Sequence, residues 1–233
     1  MAFTPAALRF LRGLAKNNNK EWFEAHRTEY EGEVREPMRD LIGEMNEKLK
    51  TFAPEIGGDP KRSMFRINRD IRFSKDKSPY KTHAACWFHH KRATSRVGSE
   101  ADAGSAGFYF HLEPGRSMVG AGLWMPPRPQ LNKLRDAIAE DPAGFDRMAK
   151  GLTKRFGGLD DEAVLTRMPR GFSDEHPAAK WLRYQSFTVH AMLSDAEVLD
   201  GRLVDRIEKD FKTMLPFVRW LNRALGYQSA DKR

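Results

Sequence analysis

The residues best suited to chemistry lie in one basic segment, Arg66 to Thr82. Within it, Arg66, Arg69 and Arg72 recur at every third position. Arginine presents a rigid fork of N–H donors that matches the oxygen atoms of phosphate and carboxylate groups. The residues that we expect to contact an anion are Arg66, Arg69, Arg72, Lys75, Lys77, Tyr80 and Lys81, with the tyrosine able to stack on a base or ring. The segment therefore predicts an anion-binding site.

The charge of the chain is concentrated around this segment. Residues 61–92 carry ten lysines and arginines against two acids, a difference that equals the net charge of +8 of all 233 residues. A basic face spread over the surface would indicate general affinity for polyanions, whereas concentration in one segment indicates a local site. The alternative is a solvated loop whose arginines pair with acids elsewhere on the surface, as isolated charge runs usually do.

The two acids inside the segment, Asp70 and Asp76, are the candidates for catalysis. Either carboxylate could act as a general base if burial and neighbouring groups raised its pKa. The cations beside them would instead keep both carboxylates ionised and weakly basic. We therefore name them as candidates without assigning a reaction.

Histidine and cysteine are present without a spacing that is typical of a metal site. His83 and His89 have the same parity on a predicted strand, and His90 and His111 are near in sequence, but no HExxH or CxxC pattern accompanies them. We expect no metal and no cofactor, and we expect Cys86 to be a small buried residue. The sequence also contains no GxxxxGK[ST] loop, which disfavours a P-loop nucleotidase. It contains no Gly-x-Ser-x-Gly elbow either.

Amphipathic helices are predicted before and after the basic segment. Thr4-Pro5 is typical of a helix start, and Asn18 with Glu21 resembles a capping box that begins a second helix. Apolar residues recur at helical spacing over 34–49 and again over 199–225. Further helices are expected at about 129–140 and 142–151.

The middle of the chain changes to the alternating pattern of strands. Residues 108–112 and 117–125 flank Glu113-Pro114-Gly115-Arg116, a type II turn signature, and so predict a hairpin. Strands are also expected near 82–90 and 187–191. Helices before and after a group of strands predict an α+β fold with a mainly antiparallel sheet flanked by N-terminal and C-terminal amphipathic helices. We expect one domain over 1–233, with a mobile loop near 91–106.

The composition also indicates a compartment. A single cysteine excludes an internal disulfide, which suits a reducing environment. No apolar run approaches the length of a membrane span, and the N-terminus does not have the pattern of a signal peptide. We therefore expect a cytoplasmic protein that does not contact a membrane, and the oligomeric state stays open.

The run from Arg69 to Thr82, Arg-Asp-Ile-Arg-Phe-Ser-Lys-Asp-Lys-Ser-Pro-Tyr-Lys-Thr, resembles the hallmark of a known family. The family is catalogued as domain of unknown function 2461. Asn19-Lys20-Glu21-Trp22-Phe23, Gly107-Phe108-Tyr109 and residues 215–222 fit the same family, so the resemblance extends over nearly the whole chain. It implies no established activity, substrate or catalytic residue.

Three functions from different classes follow from these patterns. The first is binding, with or without turnover, of a phosphorylated or otherwise anionic small molecule at the basic segment. The second is a nucleic-acid-binding module that uses the same residues on an open surface. The third is a docking surface for an acidic protein partner. A concave site would favour the first, and an exposed basic stripe would favour the second.

Overall fold

The computed structural model of the chain describes residues 3–72, 76–93 and 104–230. Its helical elements are α1 (Pro5–Lys16), α2 (Lys20–Ala25), α3 (Arg27–Glu29), a π-helical turn (Tyr30–Arg35), α4 (Glu36–Phe52), α5 (Arg128–Glu140), α6 (Pro142–Phe156), α7 (Ala179–Leu182), α8 (Asp195–Leu199) and α9 (Leu203–Ala224). The strands are β1 (Ile56–Gly57), β2 (Ala84–His90), β3 (Gly107–Leu112), β4 (Ser117–Leu123) and β5 (Phe187–Leu193). Within the described ranges, no helix is long and apolar enough to cross a membrane.

The first two helices begin at polar caps. The Thr4 side chain accepts the Ala6 N–H at 3.2 Å, as the sequence predicted. The predicted cap of α2 was wrong by one residue, because Asn19 is the cap and its Oδ1 accepts the Trp22 N–H at 2.9 Å. Asn18 is not available for capping, since its side-chain amide is bonded to the backbone of Tyr80.

The five strands form one antiparallel sheet in the order β1-β2-β3-β4-β5, so each strand pairs with its neighbour in sequence. The predicted hairpin is confirmed as β3 and β4. Gly115 has a φ of +75° in the turn between them, a conformation that glycine adopts without steric cost. With helices before and after an antiparallel sheet, the predicted α+β class is confirmed.

One face of the sheet is covered by helices and forms the core. Phe88 and Phe108 point to this face, where the ring of Phe211 in α9 stacks on Phe108 with centroids 4.4 Å apart. Cys86 lies in the same layer and is fully buried, as predicted, and burial raises the pKa of its thiol. The buried apolar residues belong to one continuous cluster, which also includes the apolar sides of α1, α4 and α9.

The opposite face of the sheet carries the alternate residues of each strand. The pairing places Tyr109, Gly120 and His190 in one row across β3, β4 and β5. Because Gly120 has no side chain, the row is open between the tyrosine and the histidine. This face, which we call the open face, contains one of the two cavities described below.

The predicted loop near 91–106 is described only at its ends, because residues 94–103 lie outside the described residues. Ala106 is fully buried, and its N–H and C=O both bond to the Asn222 side chain, at 2.9 and 3.1 Å. The last residue of the predicted loop is thus part of the core.

Candidate functional site

The basic segment folds into an irregular extension of the sheet beside β2. Residues 63–65 run along this strand, and the Phe65 N–H donates to the Ala85 carbonyl at 2.9 Å. The chain then returns on itself, with the Arg69 N–H donating to the Pro79 carbonyl at 2.9 Å. We call the described residues 66–72 and 76–82 the basic ribbon.

Asn18 fixes the basic ribbon to the N-terminal helices. Asn68 and Tyr80 face each other in the ribbon, in a pair whose own backbone groups do not bond to one another. The Tyr80 N–H and C=O therefore point away from Asn68, and the Asn18 side chain bonds to both, at 3.0 and 2.9 Å. The Tyr80 ring stacks on Phe23 of α2 with centroids 4.2 Å apart, so it is buried and not exposed for stacking on a ligand.

Part of the positive charge of the ribbon is neutralised within the ribbon itself. Asp70 accepts from the Arg72 guanidinium at 2.7 Å, and Asp76 pairs with Arg69 at 2.9 Å. Arg66 has the longest of these contacts, 3.8 Å to Asp70, and its side chain is 68% exposed. Among the predicted arginines, Arg66 is therefore best placed to meet a ligand.

The two candidate bases are held in their ionised form. The side-chain hydrogen bond from Arg72 lowers the pKa of Asp70, and the backbone N–H of Ser78 lowers the pKa of Asp76. Both carboxylates are also exposed to solvent. A carboxylate with a lowered pKa is a weak base at neutral pH. This geometry argues against catalysis by either group.

Two of the three predicted lysines lie within the described residues. Lys75 lies outside the described residues. The Lys77 ammonium donates to the Ile71 carbonyl at 2.8 Å. Lys81 is half-buried, with its ammonium 5.4 Å from the centre of the Phe65 ring, and burial is the main reason that its pKa is lowered. Of the six predicted residues that the structure describes, only Arg66 and Tyr80 line the groove described next.

A groove of about 560 Å³ lies between the ribbon and the N-terminal helices. Its cations come from both walls and are Lys20, Arg27, Arg35, Arg39, Lys61 and Arg66, against two acids, Glu24 and Glu31. Both acids pair with groove arginines, Glu24 with Arg27 at 2.6 Å and Glu31 with Arg35 at 2.8 Å. We call this space the basic groove.

A second cavity, of about 490 Å³, lies on the open face of the sheet, and we call it the open-face pocket. Glycines on β4 leave space at its floor, and large apolar side chains form much of its wall, including Phe65, Trp87, Tyr109, Met118, Trp124 and Met192. Trp124 and Met192 are more than half exposed, which is unusual for such large apolar groups.

One wall of the open-face pocket holds a histidine that is oriented by an acid. Asp160 Oδ1 lies 2.7 Å from His190 Nδ1, and its other oxygen accepts from the Thr188 hydroxyl at 2.7 Å. The hydrogen bond between His190 and Asp160 raises the pKa of His190, because the carboxylate stabilises the charged imidazole. Such a pair fixes the ring and leaves Nε2 available for proton transfer.

The other wall holds a second group of titratable residues around His111. His111 Nε2 lies 3.2 Å from Glu113 Oε2, and its Nδ1 lies 2.9 Å from the Tyr109 hydroxyl. The His83 ring packs against the His111 ring with centroids 4.3 Å apart. Burial lowers the pKa of both histidines, that of His83 to about 3, so both rings are neutral at neutral pH.

Most of these residues were not predicted from the sequence. Of the residues that line the basic groove, only Arg66 and Tyr80 were predicted to bind an anion, although Arg35 and Arg39 are four residues apart on one helix face and could have been noticed. Of the residues discussed in the open-face pocket, His111 was considered as a metal ligand, but His190 and Asp160 were not considered. No local signal connects that pair, since thirty positions separate the two residues in the sequence.

Comparison with known proteins gives a family but no activity. The family of conserved hypothetical proteins known as domain of unknown function 2461 matches residues 6–220. No curated protein and no solved structure matches the chain. The family match includes the basic ribbon, α4, the whole sheet and most of α9. Since it covers nearly all of the sequence, the chain belongs to the domain of unknown function 2461 family.

Proposed function

We propose that the chain binds an anionic small molecule, carrying phosphate or carboxylate groups, in the basic groove. The observation that supports this proposal is that six cations from two opposite walls line one concave space, together with only two acids. An anion placed there would meet guanidinium and ammonium groups from both sides. Charge-assisted hydrogen bonds of this kind are among the strongest in proteins.

The guanidinium groups of the groove retain donors for a ligand. Arg35 donates to Glu31 through Nη1, and Arg39 donates to Glu36 through Nη1. For both arginines, the other guanidinium nitrogens form no hydrogen bond with any residue of the described ranges. An incoming phosphate or carboxylate could therefore bind without first breaking these ion pairs.

The shape of the site favours a small molecule over a nucleic acid. A volume of about 560 Å³ falls within the range of roughly 300–1,000 Å³ that is typical of small-ligand sites. Binding of single strands usually needs exposed aromatic rings on which bases can stack. Tyr80 is buried against Phe23 and does not provide one. Nucleic acid and an acidic protein partner remain the alternatives that the experiment must separate.

The test is calorimetric titration of the chain with inorganic pyrophosphate and with citrate, in buffer that contains EDTA so that metal binding does not contribute. The informative variant is Lys61→Ala/Arg66→Ala, because both side chains are exposed and, within the described part of the chain, Lys61 forms no ion pair and Arg66 forms only the 3.8 Å contact with Asp70. We expect at least one probe to bind, and we expect the variant to weaken it about tenfold or more, since each charge-assisted bond contributes roughly 1.5–3 kcal/mol.

Arg202→Ala is the matched control, because Arg202 is also exposed and also pairs with a nearby aspartate, at 3.4 Å, but lies on another part of the chain. It should leave binding unchanged. Binding of neither probe, or equal weakening by the control, would overturn the proposal. Tight oligonucleotide binding would instead support the nucleic-acid alternative, provided that it is lost in the groove variant and falls about a thousandfold between 50 and 200 mM salt, as expected for six phosphate contacts.

A further inference from the structure

We propose that His83, His111 and Glu113 form a binding site for Zn²⁺ at one wall of the open-face pocket, separate from the basic groove. The ligand atoms of the three residues lie within 4.8 Å of one another. The sequence indicated no metal, because their positions match no known ligand spacing. The strand register brings the three residues together.

The register explains why the three side chains meet. Ala85 of β2 lies opposite His111 of β3, so His83 and Glu113 would be opposite each other one step further along in the same register. Residues two apart on a strand share a face, so all three side chains are on the open face. The small side chain of Ala85 leaves room for the His83 ring to pack diagonally on that of His111.

The two histidine rings lie side by side on the open face. A histidine coordinates a metal through a ring nitrogen, and the His83 ring packs against the His111 ring with centroids 4.3 Å apart. His83 has no hydrogen-bond or ion-pair partner among the described residues, although it is partly buried. The ring nitrogens of His83 are therefore free to coordinate a metal.

The distances suit zinc after a small adjustment. Zinc binds histidine nitrogen and carboxylate oxygen at about 2.0–2.2 Å in a tetrahedron, which places neighbouring ligand atoms about 3.4 Å apart. His111 Nε2 and Glu113 Oε2 are 3.2 Å apart, which is close to this separation. With zinc on Nε2, the Nδ1–H of His111 would donate to the Tyr109 hydroxyl 2.9 Å away, a partner of the kind that fixes the ring of a metal-bound histidine.

Two histidines and one carboxylate leave the fourth zinc position open, as in catalytic rather than structural zinc sites. His111 and Glu113 both line the open-face pocket, so that position is accessible to water or to a small molecule in the pocket. Nitrogen and oxygen ligands of this kind do not suit calcium or magnesium, which prefer oxygen ligands alone.

Nearby cations oppose the ion and provide a sharp test. The Lys81 ammonium lies 5.4 Å from the centre of the Phe65 ring, and Phe65 and Arg116 line the open-face pocket together with His111 and Glu113. Removing the Lys81 charge should therefore tighten binding of a cation at this site. The same change would weaken binding of an anion there, so Lys81→Met separates the two kinds of ligand.

The experiment uses the full chain without a histidine tag, stripped with a chelator and then titrated with Zn²⁺ in competition with a colorimetric chelator. We expect one Zn²⁺ per chain. Glu113→Gln and His83→Ala should each weaken binding more than about a hundredfold, beyond the range of 10–100-fold that is typical of outer-shell changes. Lys81→Met should tighten it. Substitution of Co²⁺ should give the visible absorption bands of a tetrahedral site.

His89→Ala is the matched control, since His89 lies on β2 and on the open face, as His83 does one residue before that strand, but is outside the cluster. It should bind Zn²⁺ like the unaltered chain. Circular dichroism checks the fold of each variant, and the nearly isosteric Glu113→Gln keeps the test valid if His83→Ala does not fold. Failure of the stripped chain to bind Zn²⁺, undiminished binding in Glu113→Gln, or weaker binding in Lys81→Met would overturn the proposal.

Discussion

Replacement of Asn18 by alanine should loosen the attachment of the basic ribbon to the N-terminal helices. The Asn18 amide accepts the Tyr80 N–H at 3.0 Å and donates to the Tyr80 carbonyl at 2.9 Å. It thus occupies the place that a neighbouring strand would take beside the ribbon. The same attachment sets the width of the basic groove, because Tyr80 and Phe23 both line it.

The expected loss of stability depends on whether the Tyr80 N–H and C=O have other hydrogen-bond partners once the Asn18 amide is removed. The Tyr80 carbonyl keeps a second donor, since Arg69 Nη2 lies 3.2 Å away. The Tyr80 N–H has no other acceptor in the described ranges and belongs to a residue that is only 5% exposed. An unsatisfied buried donor costs about 1–3 kcal/mol, so Asn18→Ala should lower the free energy of unfolding by that amount.

Urea denaturation measures this free energy, and native-state hydrogen exchange of the Tyr80 amide measures the local loosening. Asn17→Ala is the control, because the Asn17 amide also donates to a backbone carbonyl, that of Gly13, but is exposed at the end of α1. The control should change the free energy of unfolding by less than about 0.5 kcal/mol, as is usual for surface substitutions.

Two results would refute the reasoning. One is an Asn18→Ala variant whose free energy of unfolding matches that of the control. The other is unchanged exchange of the Tyr80 amide, which would mean that another group satisfies the donor. Loss of pyrophosphate or citrate binding alone would not decide the matter, because the groove could lose its ligand for other reasons.

Three further predictions concern the sheet. Asp160→Asn should lower the raised pKa of His190, as measured by NMR titration. The pair with Asp160 favours the charged imidazole, so its contribution to stability is complete below the unfolded pKa near 6.5 and is lost as the pH rises through the folded pKa. This pH-dependent contribution should be absent from the variant. Cys86 should not react with a thiol reagent until the chain unfolds, since burial raises its pKa and blocks access; rapid reaction in the native chain would contradict its placement. Phe211→Ala should lower the free energy of unfolding by about 3–5 kcal/mol in urea denaturation, because it removes a fully buried ring stacked on Phe108; a loss below about 1 kcal/mol would contradict this packing.

Much of the fold could be predicted because its signals are local. Apolar spacing predicted α4 and α9, and the turn at 113–116 predicted the β3–β4 hairpin. The start of α2 was predicted one residue early, because Asn18 and Glu21 have the spacing of a capping box although Asn19 is the cap. Only the position of Tyr80, distant in sequence, assigns Asn18 to the ribbon and leaves Asn19 as the cap.

The sequence by itself determined the family, the α+β class and the concentration of charge in one segment, because each depends on composition or on residues near one another in the chain. Only the tertiary structure decided which cations share a space. It pairs Arg69 and Arg72 with the acids of their own ribbon and sets Arg66 across a groove from Arg35. Strand register likewise decided that histidines from β3, β5 and the residue before β2 meet acids on one open face. A shift of register by one residue would have turned those side chains into the core, and local sequence contains no measure of register between distant strands.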